Sequence, residues 1–564
     1  MEGNARSVLK FGNKLFEDKR NLDSLWQEIA LNFYPDRADF TYNRVEGEEF
    51  SDHLFSSFPV LARRELGNMM AASLRPRSQK WFSLHVDDPD LDEGDHERAF
   101  LEHLSEIQWR AMYDRATGFI RATKEADHDY AGFGNAVIKY GPNIARNGML
   151  FQSFHLRDNA WSENAEGVID VNHRNWTPTA RQLVHTFGED KVSNDVKLAF
   201  NKDPEQTFPC RHAVLPARIY PYKSKLGREF PFVSLFIERN SEKILEEVGL
   251  TYFCYLIPRW QTISGSAYAV SMATSIILPD SRTMQAVMRT LREAGEKYVD
   301  PPMIAIGDAI RGDISLYAGG ITNADYEYDE RLGQVLRPVS QDKGGMPIGF
   351  DIAEALKQDI TSGFFLDKIQ LPESNKEMTA FEVRRRLQEH IRASSPIFEP
   401  IIDDYNDPMC EGIFNFLMQA GAFPLDQMPD TLAGSDIKFR FRSPMHDLTE
   451  QNDAETYVDV MERILAPAAQ LDPAQWENVD LTTSTRDAMR AAGWKAKWMK
   501  PPQAVEQKRA EMNQQAEIAE TIEGVGAAGA AAKETGEGMS RVTEALTGPQ
   551  QQQGSNGQAP TPTP

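Results

Sequence analysis

The chain has 564 residues, 41% of them hydrophobic and 10% aromatic, and a formal net charge of −23. So much chain exceeds one ordinary core and predicts two to four folded domains. The acidic balance argues against a general nucleic-acid binder, which would present basic surface to phosphates. It leaves room for a protein that surrounds DNA without gripping it.

Two amphipathic helices are predicted first, one carrying Val8, Phe11 and Leu15, the other Leu22, Leu25, Trp26, Ile29 and Phe33. Tyr34-Pro35 stops the second. A helix over 58–74 ends at Arg75-Pro-Arg77, and Trp81 to Val86 alternates as a strand does. A long helix uses Phe100, Leu104, Ile107, Met112 and Tyr113, and another runs from Phe119 to Gly132. From Asn135 to Trp260 the pattern turns to short strands, at 136–140, 168–171, 232–237 and 252–257, interrupted by a helix from Thr179 to Phe187. Antiparallel α+β is therefore expected there.

Pro279-Asp280-Ser281 reads as the opening of a helix with Met284, Val287, Met288, Leu291 and Tyr298 on one face, ended by Pro301-Pro302. Short β-prone pieces broken by glycines follow. A second helix is expected from about Ile352, carrying Ile352, Leu356, Ile360, Phe364 and Ile369. After a polar link over 370–378, Thr379 and Glu382 form a capping box for a long helix that contains Pro396, Pro400 and Pro408, where kinks or breaks are expected. Two helices bracketing a β-rich insert can hold it away from the body like a stalk. Ile437 to Arg442 is a further strand, helices resume near Leu448, and Pro549 to Pro564 is too polar to order.

Constellations with chemistry are few. Cys210, Cys254 and Cys410 lie far apart, neither a metal set nor a redox pair, and are expected as buried free thiols in a reducing compartment. The glycines of 524–529 match a dinucleotide fingerprint but follow a polar helical stretch in place of a strand. The acidic run 87–95 has its glycine out of place for a calcium loop. His96 and His103 suit an exposed helix face, Ser264-Gly-Ser266 lacks the nucleophile-elbow pattern, and no phosphate-binding loop for ATP is present. Arg384-Arg-Arg386 points three ways around its helix, so most of it is expected in solvent or in ion pairs. No catalytic residue, metal site or cofactor is expected. The amino-terminal residues lack a signal-peptide pattern, and no apolar run of about 20 residues suggests a membrane span. A cytoplasm, or a particle assembled in one, is the expected setting.

The residues resemble one known family, the portal or head-to-tail connector proteins of short-tailed bacteriophages. Leu25 to Pro35 looks like its N-terminal helix. Arg259-Trp260, Gly265 to Tyr268 and Leu278-Pro-Asp280 look like the entry to its first stem helix. Thr379-Ala-Phe-Glu-Val-Arg384 is similar to the start of its long wing helix. Val479-Asp-Leu481 with Gly493-Trp494 resembles its C-terminal part. Ala269 stands where the family often has Gly.

The resemblance implies an α+β, mainly helical architecture. Its regions are a wing (1–278 and 379–470), stem helices (279–300 and 350–368), a clip (301–349), a tunnel loop (369–378), a crown (471–535) and a disordered tail (536–564). It implies a dodecameric homo-oligomer at one capsid vertex, the head-tail junction of the virion, with double-stranded DNA passing through its channel. The partners implied are the terminase motor and then tail adaptor proteins at the clip, and the major capsid protein and scaffold around it. Lys368, Gln370, Pro372, Glu373, Ser374, Asn375 and Lys376 are the implied channel residues, and Asp308, Arg311, Asp313 and Tyr317 the implied docking residues. Two other readings stay open: a ring-forming virion or scaffold protein that conducts no DNA, and an enzyme whose pocket would gather carboxylates or histidines.

Overall fold

The computed structural model describes residues 5–86, 95–220, 229–305, 310, 336–338, 345–369, 400–432, 437–441 and 457–512, apart from scattered positions within these spans. The chain divides into two compact units, residues 1–471 and 472–564. The first begins with α1 (Ala5–Asp18), α2 (Arg20–Phe33) and α3 (Phe58–Leu74), then β1 (Phe82–Val86), α4 (Asp95–Tyr113) and α5 (Phe119–Phe133). These follow the apolar spacing closely, because each helix turns one stripe inward. Trp26, Phe33, Leu66, Met70, Leu104, Tyr130 and Phe133 share one core. Leu25 lies outside it, 41% exposed.

The β region holds more strands than its alternation predicts. A three-stranded antiparallel sheet contains β2 (Ile138–Pro142), β3 (Met149–Ser153) and β9 (Tyr255–Leu256) in the order β3-β2-β9. A five-stranded antiparallel sheet runs in sequence order through β4 (Asn159–Glu163), β5 (Ile169–Trp176), β6 (Cys210–Pro216), β7 (Phe232–Glu238) and β8 (Lys243–Leu250). β3, β4, β6 and β8 were not expected. The central strand β6 is buried along its whole length although it contains Cys210, Arg211 and His212. Its Ala213 and Leu215 join Val233, Leu235 and Ile237 under α1. Cys210, one step out of phase, meets α6 (Ala180–Phe187) and α7 (Asn194–Lys202), the latter also unforeseen. Thr179 caps α6 through a reciprocal box with Gln182.

Two long helices follow, α8 (Thr274–Val299) and α9 (Gly345–Gly363), then the short α10 (Leu366–Ile369). Between them, β10 (Met303–Ala305) pairs antiparallel with β11 (Leu336–Pro338). The long helix after residue 400 stays continuous through Pro408. Its ladder widens into a π turn, Ile402–Asn406, before α11 (Asp407–Gln419), with the Asp407 N–H reaching Ile402 O. Proline has no N–H for the carbonyl four residues back, and the wider turn accommodates that loss in place of the break expected. The same device recurs at Met461–Leu465, ahead of Pro467 and α12 (Ala466–Leu471). β12 (Ile437–Phe441) pairs antiparallel with β1. In the second unit, α13 (Leu481–Ala491) is capped by Asp480, whose carboxylate accepts from Thr483 N at 3.1 Å.

All three cysteines are free and buried, as expected. His96 and His103 lie exposed on α4. The expected capping box at 379, the run Arg384–Arg386, the glycines of 524–529 and most of the acidic run 87–95 lie outside the described residues.

Candidate functional site

The feature that sets this fold apart is the α8–α9 hairpin, and its construction starts at the base. Pro279 does not open α8; the helix begins five residues earlier at Thr274 and carries Pro279 inside it. The start is set by Ser271, whose Oγ accepts from Ala273 N at 3.3 Å and Thr274 N at 3.2 Å. The same hydroxyl donates to Ala131 O at 2.8 Å, and Thr274 Oγ1 donates to Gly132 O at 2.7 Å. One capping residue thus also bolts α8 to the end of α5. Asn135 secures the approach: its side chain donates to Ala269 O at 2.7 Å and accepts from Ala269 N at 3.0 Å. Gly134, at φ 71°, lies so close to the Val270 carbonyl that a Cβ would sit 2.2 Å from its carbon. Ser266 serves the same loop, exchanging hydrogen bonds with the Tyr268 backbone at 2.9 and 3.1 Å. Its role there is structural.

α9 likewise begins at Gly345, earlier than expected. Its buried stripe is Ala353, Leu356 and Ile360, continued by Phe364, while Ile352 faces solvent at 44% exposure. The two helices meet through matched close approaches. A Cβ on Gly363 would fall 2.1 Å from Ile277 Cδ1, and one on Gly349 would fall 2.7 Å from Leu291 Cδ2. The partners are fourteen residues apart on each helix, two heptads, so the same faces stay in register along an antiparallel pair. Gly363→Ala is expected to destabilise the protein by about 1–3 kcal/mol through overpacking, with partial recovery in Gly363→Ala/Ile277→Val. Denaturant midpoints of the two variants check this.

Only the first part of α8 is buried: Met284 is its last buried residue. From there to Val299 the helix runs about 22 Å further. On α9 the first buried residue is Ala353. The outer half of the hairpin therefore projects from the core, with Ile348, Phe350, Tyr298 and Val299 exposed at 61%, 58%, 52% and 85%. Gln285 ties the near half to the 55–56 loop, accepting from Phe55 N and Ser56 N at 2.8 Å each and donating to Ser56 O at 2.9 Å. Arg282 pairs with Glu28 on α2. Along α8, α9 and α10, six Lys or Arg residues stand against seven Asp or Glu. The hairpin is nearly neutral in a chain of −23.

Behind the base lies a buried polar knot. Arg75 bonds Asp127 of α5, donates to Asn406 Oδ1 at 2.7 Å, and stacks over Tyr405 with its guanidinium carbon 4.4 Å from the ring centre. Burial works against the Arg75 charge, but Asp127 outweighs it and holds the guanidinium more firmly protonated. Arg37 and Asp129 make a second pair, with Arg37 Nε 3.0 Å from Asp129 Oδ1.

An open groove of about 850 Å³ lies beside this base, lined by Glu163, Glu166, Arg259, Trp260, Asp403 and Asp404 among others. Two of its carboxylates, Glu163 and Asp404, face Arg259. Arg259 binds Glu163 at 2.9 Å, donates to Gly167 O at 2.8 Å and lies 3.7 Å from Asp404. Burial pushes the Asp404 carboxyl up, against the pull of Arg259. Among the described residues no histidine lines the groove. Among the described residues no group of three or more His, Cys, Asp or Glu could hold a metal ion, and no helix is long and apolar enough to cross a membrane.

Of the residues singled out from sequence, Lys368 falls in α10 just after the hairpin. Gln370, Pro372, Glu373, Ser374, Asn375 and Lys376 lie outside the described residues, as do Asp308, Arg311, Asp313 and Tyr317. The latter four fall in the chain between β10 and β11, the strands that continue the hairpin. Sequence reasoning missed Ser271, Asn135, Gly363 and the Arg75–Asp127 pair, which hold the hairpin's base. Only Gly363, at the end of an apolar stripe, carries a readable signal.

Comparison with known proteins gives this architecture its place. The family model described as bacteriophage head to tail connecting protein matches residues 5–499. A probable portal protein of Bordetella phage BPP-1 is 25% identical over 442 residues, 77% of this chain and 78% of its own. The portal protein of Salmonella phage epsilon15 is 21% identical over 555 residues, covering 96% and 97% respectively. Among solved structures, a chain in the virion of a native gene transfer agent particle is 10% identical with a TM-score of 0.32, covering 77% of this chain and 95% of that one. The family model takes in both helices of the hairpin and the core that anchors them. This chain belongs to the bacteriophage head to tail connecting protein family, the proteins of the head-tail junction.

Proposed function

We propose that twelve copies of this chain close into a ring at one capsid vertex, through which double-stranded DNA is packaged and later ejected. The observation that carries this reading is the α8–α9 hairpin, anchored at its base and projecting about 22 Å beyond its last buried residue on α8. A monomer gains nothing from exposing Ile348, Phe350 and Val299 there. A closed ring, in which one face of each copy meets a different face of the next, covers such residues and leaves an axial hole.

In that ring the hairpins line the conduit. Each phosphate neutralised by a Lys or Arg adds affinity for DNA, so a strongly basic wall would hold the polymer. The near-balanced charge of these helices lets it slide under a motor's force. The residues between β10 and β11, with Asp308, Arg311, Asp313 and Tyr317, would dock the terminase motor during packaging and the tail adaptors afterwards. Lys368 and the segment from Gln370 to Lys376 would follow the wall toward the narrowest passage. The major capsid protein and scaffold surround the ring, and the chain itself catalyses no reaction. A ring that conducts no DNA is the rival reading, and the width of its opening separates the two.

The assembly face is testable directly. Ile348→Glu/Ile352→Glu places two carboxylates, one turn apart, on an exposed apolar stripe. Burying them unpaired between copies costs several kcal/mol per site, so ring assembly is expected to fail while the isolated subunit's melting curve stays unchanged. Mass photometry showing the wild-type oligomer in the variant would contradict the proposed interface.

A further inference from the structure

The loop between β2 and β3 holds two residues whose chemistry the channel reading does not use. Asn147 and Gly148 lie exposed at its far end, just before Met149 enters β3. Asn143, at its near end, grips both. The Asn143 N–H donates to Gly148 O at 2.9 Å, and its Oδ1 accepts from Asn147 N at 3.0 Å. Its Nδ2 donates to Asn147 Oδ1 at 2.6 Å. Among the described residues the Gly148 N–H has no hydrogen-bond acceptor. A glycine after an asparagine presents an unhindered backbone nitrogen to the side-chain amide, since it has no Cβ and few forbidden conformations. The donor on Asn147 Oδ1 stands where negative charge gathers when the amide carbon is attacked, as an oxyanion-hole donor does.

We propose that Asn147 is a site of spontaneous modification, converting to aspartate and isoaspartate through a cyclic imide, with Asn143 donating to the developing oxyanion. Base removes the Gly148 N–H proton, the freed nitrogen bonds to Asn147 Cγ, and the Cγ–Nδ2 bond breaks to release ammonia. Water then opens the imide. Attack at Cγ leaves aspartate; attack at the main-chain carbonyl leaves isoaspartate, whose backbone runs on through Cβ and Cγ. The net change exchanges ammonia for water, and nothing is oxidised or reduced. Either product adds negative charge to the loop. Isoaspartate also lengthens the chain between Asn143 and Gly148, which loosens the bond between them and the adjoining pair, Pro142 opposite Met149. A subunit held in a particle is not replaced, so the product accumulates with the particle's age. The site goes beyond the conduit reading and does not depend on it.

The test incubates the full-length protein in neutral and in mildly alkaline buffer and follows proteolytic peptides by mass spectrometry. Peptide mapping separates Asn147 from the other Asn-Gly pair of the chain, Asn556-Gly557. Asn147 is expected to convert progressively, faster as hydroxide rises, and to yield a product that a protein isoaspartyl methyltransferase labels. Gly148→Ala is expected to slow the conversion severalfold without disturbing the turn, because a Cβ there would lie 3.5 Å from Asn143 Nδ2, an ordinary contact. Asn143→Asp keeps the acceptor for Asn147 N and loses the donor, and is expected to slow it as well. No conversion of Asn147 in the wild type, or conversion at the wild-type rate in either variant, would overturn the assignment. Conversion in a protein that forms no ring would support this site and contradict the conduit reading alone.

Discussion

Asp127→Ala is expected to destabilise the first unit by about 3–5 kcal/mol, because it strands a buried guanidinium without its counter-charge. Arg75 and Asp127 are both buried, at 6% and 1% exposure, and among the described residues Arg75 keeps Asn406 and the face of Tyr405 as its other side-chain partners. Removing both charges is a different experiment. Arg75→Met/Asp127→Leu leaves no orphaned ion and is expected to recover most of the loss, since a buried pair gains little over apolar side chains of similar volume. Denaturant titrations of the three proteins measure it. A cost below about 1 kcal/mol for Asp127→Ala would mean that water reaches the site. The consequence for function follows from position: the pair joins α3, α5 and the π turn behind the hairpin, so Asp127→Ala is also expected to loosen the hairpin's base.

Acid is expected to weaken the five-stranded sheet strongly. His173 and His212 are both fully buried on β5 and β6. His173 has no hydrogen-bond partner on either ring nitrogen among the described residues, and burial beside Arg211 holds it down to about 3. His212 is bonded to the Tyr255 hydroxyl at 2.5 Å and to Ser234 Oγ at 2.8 Å, and burial with Lys139 and Arg174 nearby holds it well below the ordinary range. A histidine whose pKa is depressed by folding adds no penalty above about 6.5, where both states are neutral. Below that, the unfolded chain takes up the proton and the folded one does not, so stability falls as the pH drops from about 6.5 toward the folded value. At pH 5 this amounts to about 2 kcal/mol for each histidine. His173→Gln and His212→Gln should therefore each shrink the stability difference between pH 7 and pH 5 by about that amount, whatever they cost at pH 7. An unchanged difference would show that these rings are protonated in the folded sheet.

How much of this was legible beforehand depended on whether one residue's periodicity or many residues' convergence decided the structure. Helices α1 to α5 follow apolar spacing, and Val8, Trp26, Leu66 and Leu104 all fall on buried faces. β6 was invisible because Arg211 and His212 break its apolar character, and only partners brought from other strands and from α1 make their burial tolerable. The start of α8 was misplaced because Pro279-Asp280-Ser281 has the chemistry of a helix opening, whereas the real cap at Ser271 depends on carbonyls of α5. Pro408 was expected to kink its helix, and a π turn absorbed it. The hairpin itself was readable as two helices around a β-rich insert. The Gly363–Ile277 and Gly349–Leu291 approaches that set its geometry need both helices in space to be seen.

The conduit depends on the direction in which that hairpin points once copies assemble. An electron-microscopy image of the purified full-length protein viewed along its symmetry axis tests it most directly. The expected image is a closed ring of twelve subunits whose inner wall is formed by α8 and α9, around an opening that admits a DNA duplex. A ring with those helices on its outer rim, or with an opening too narrow for a duplex, would contradict it.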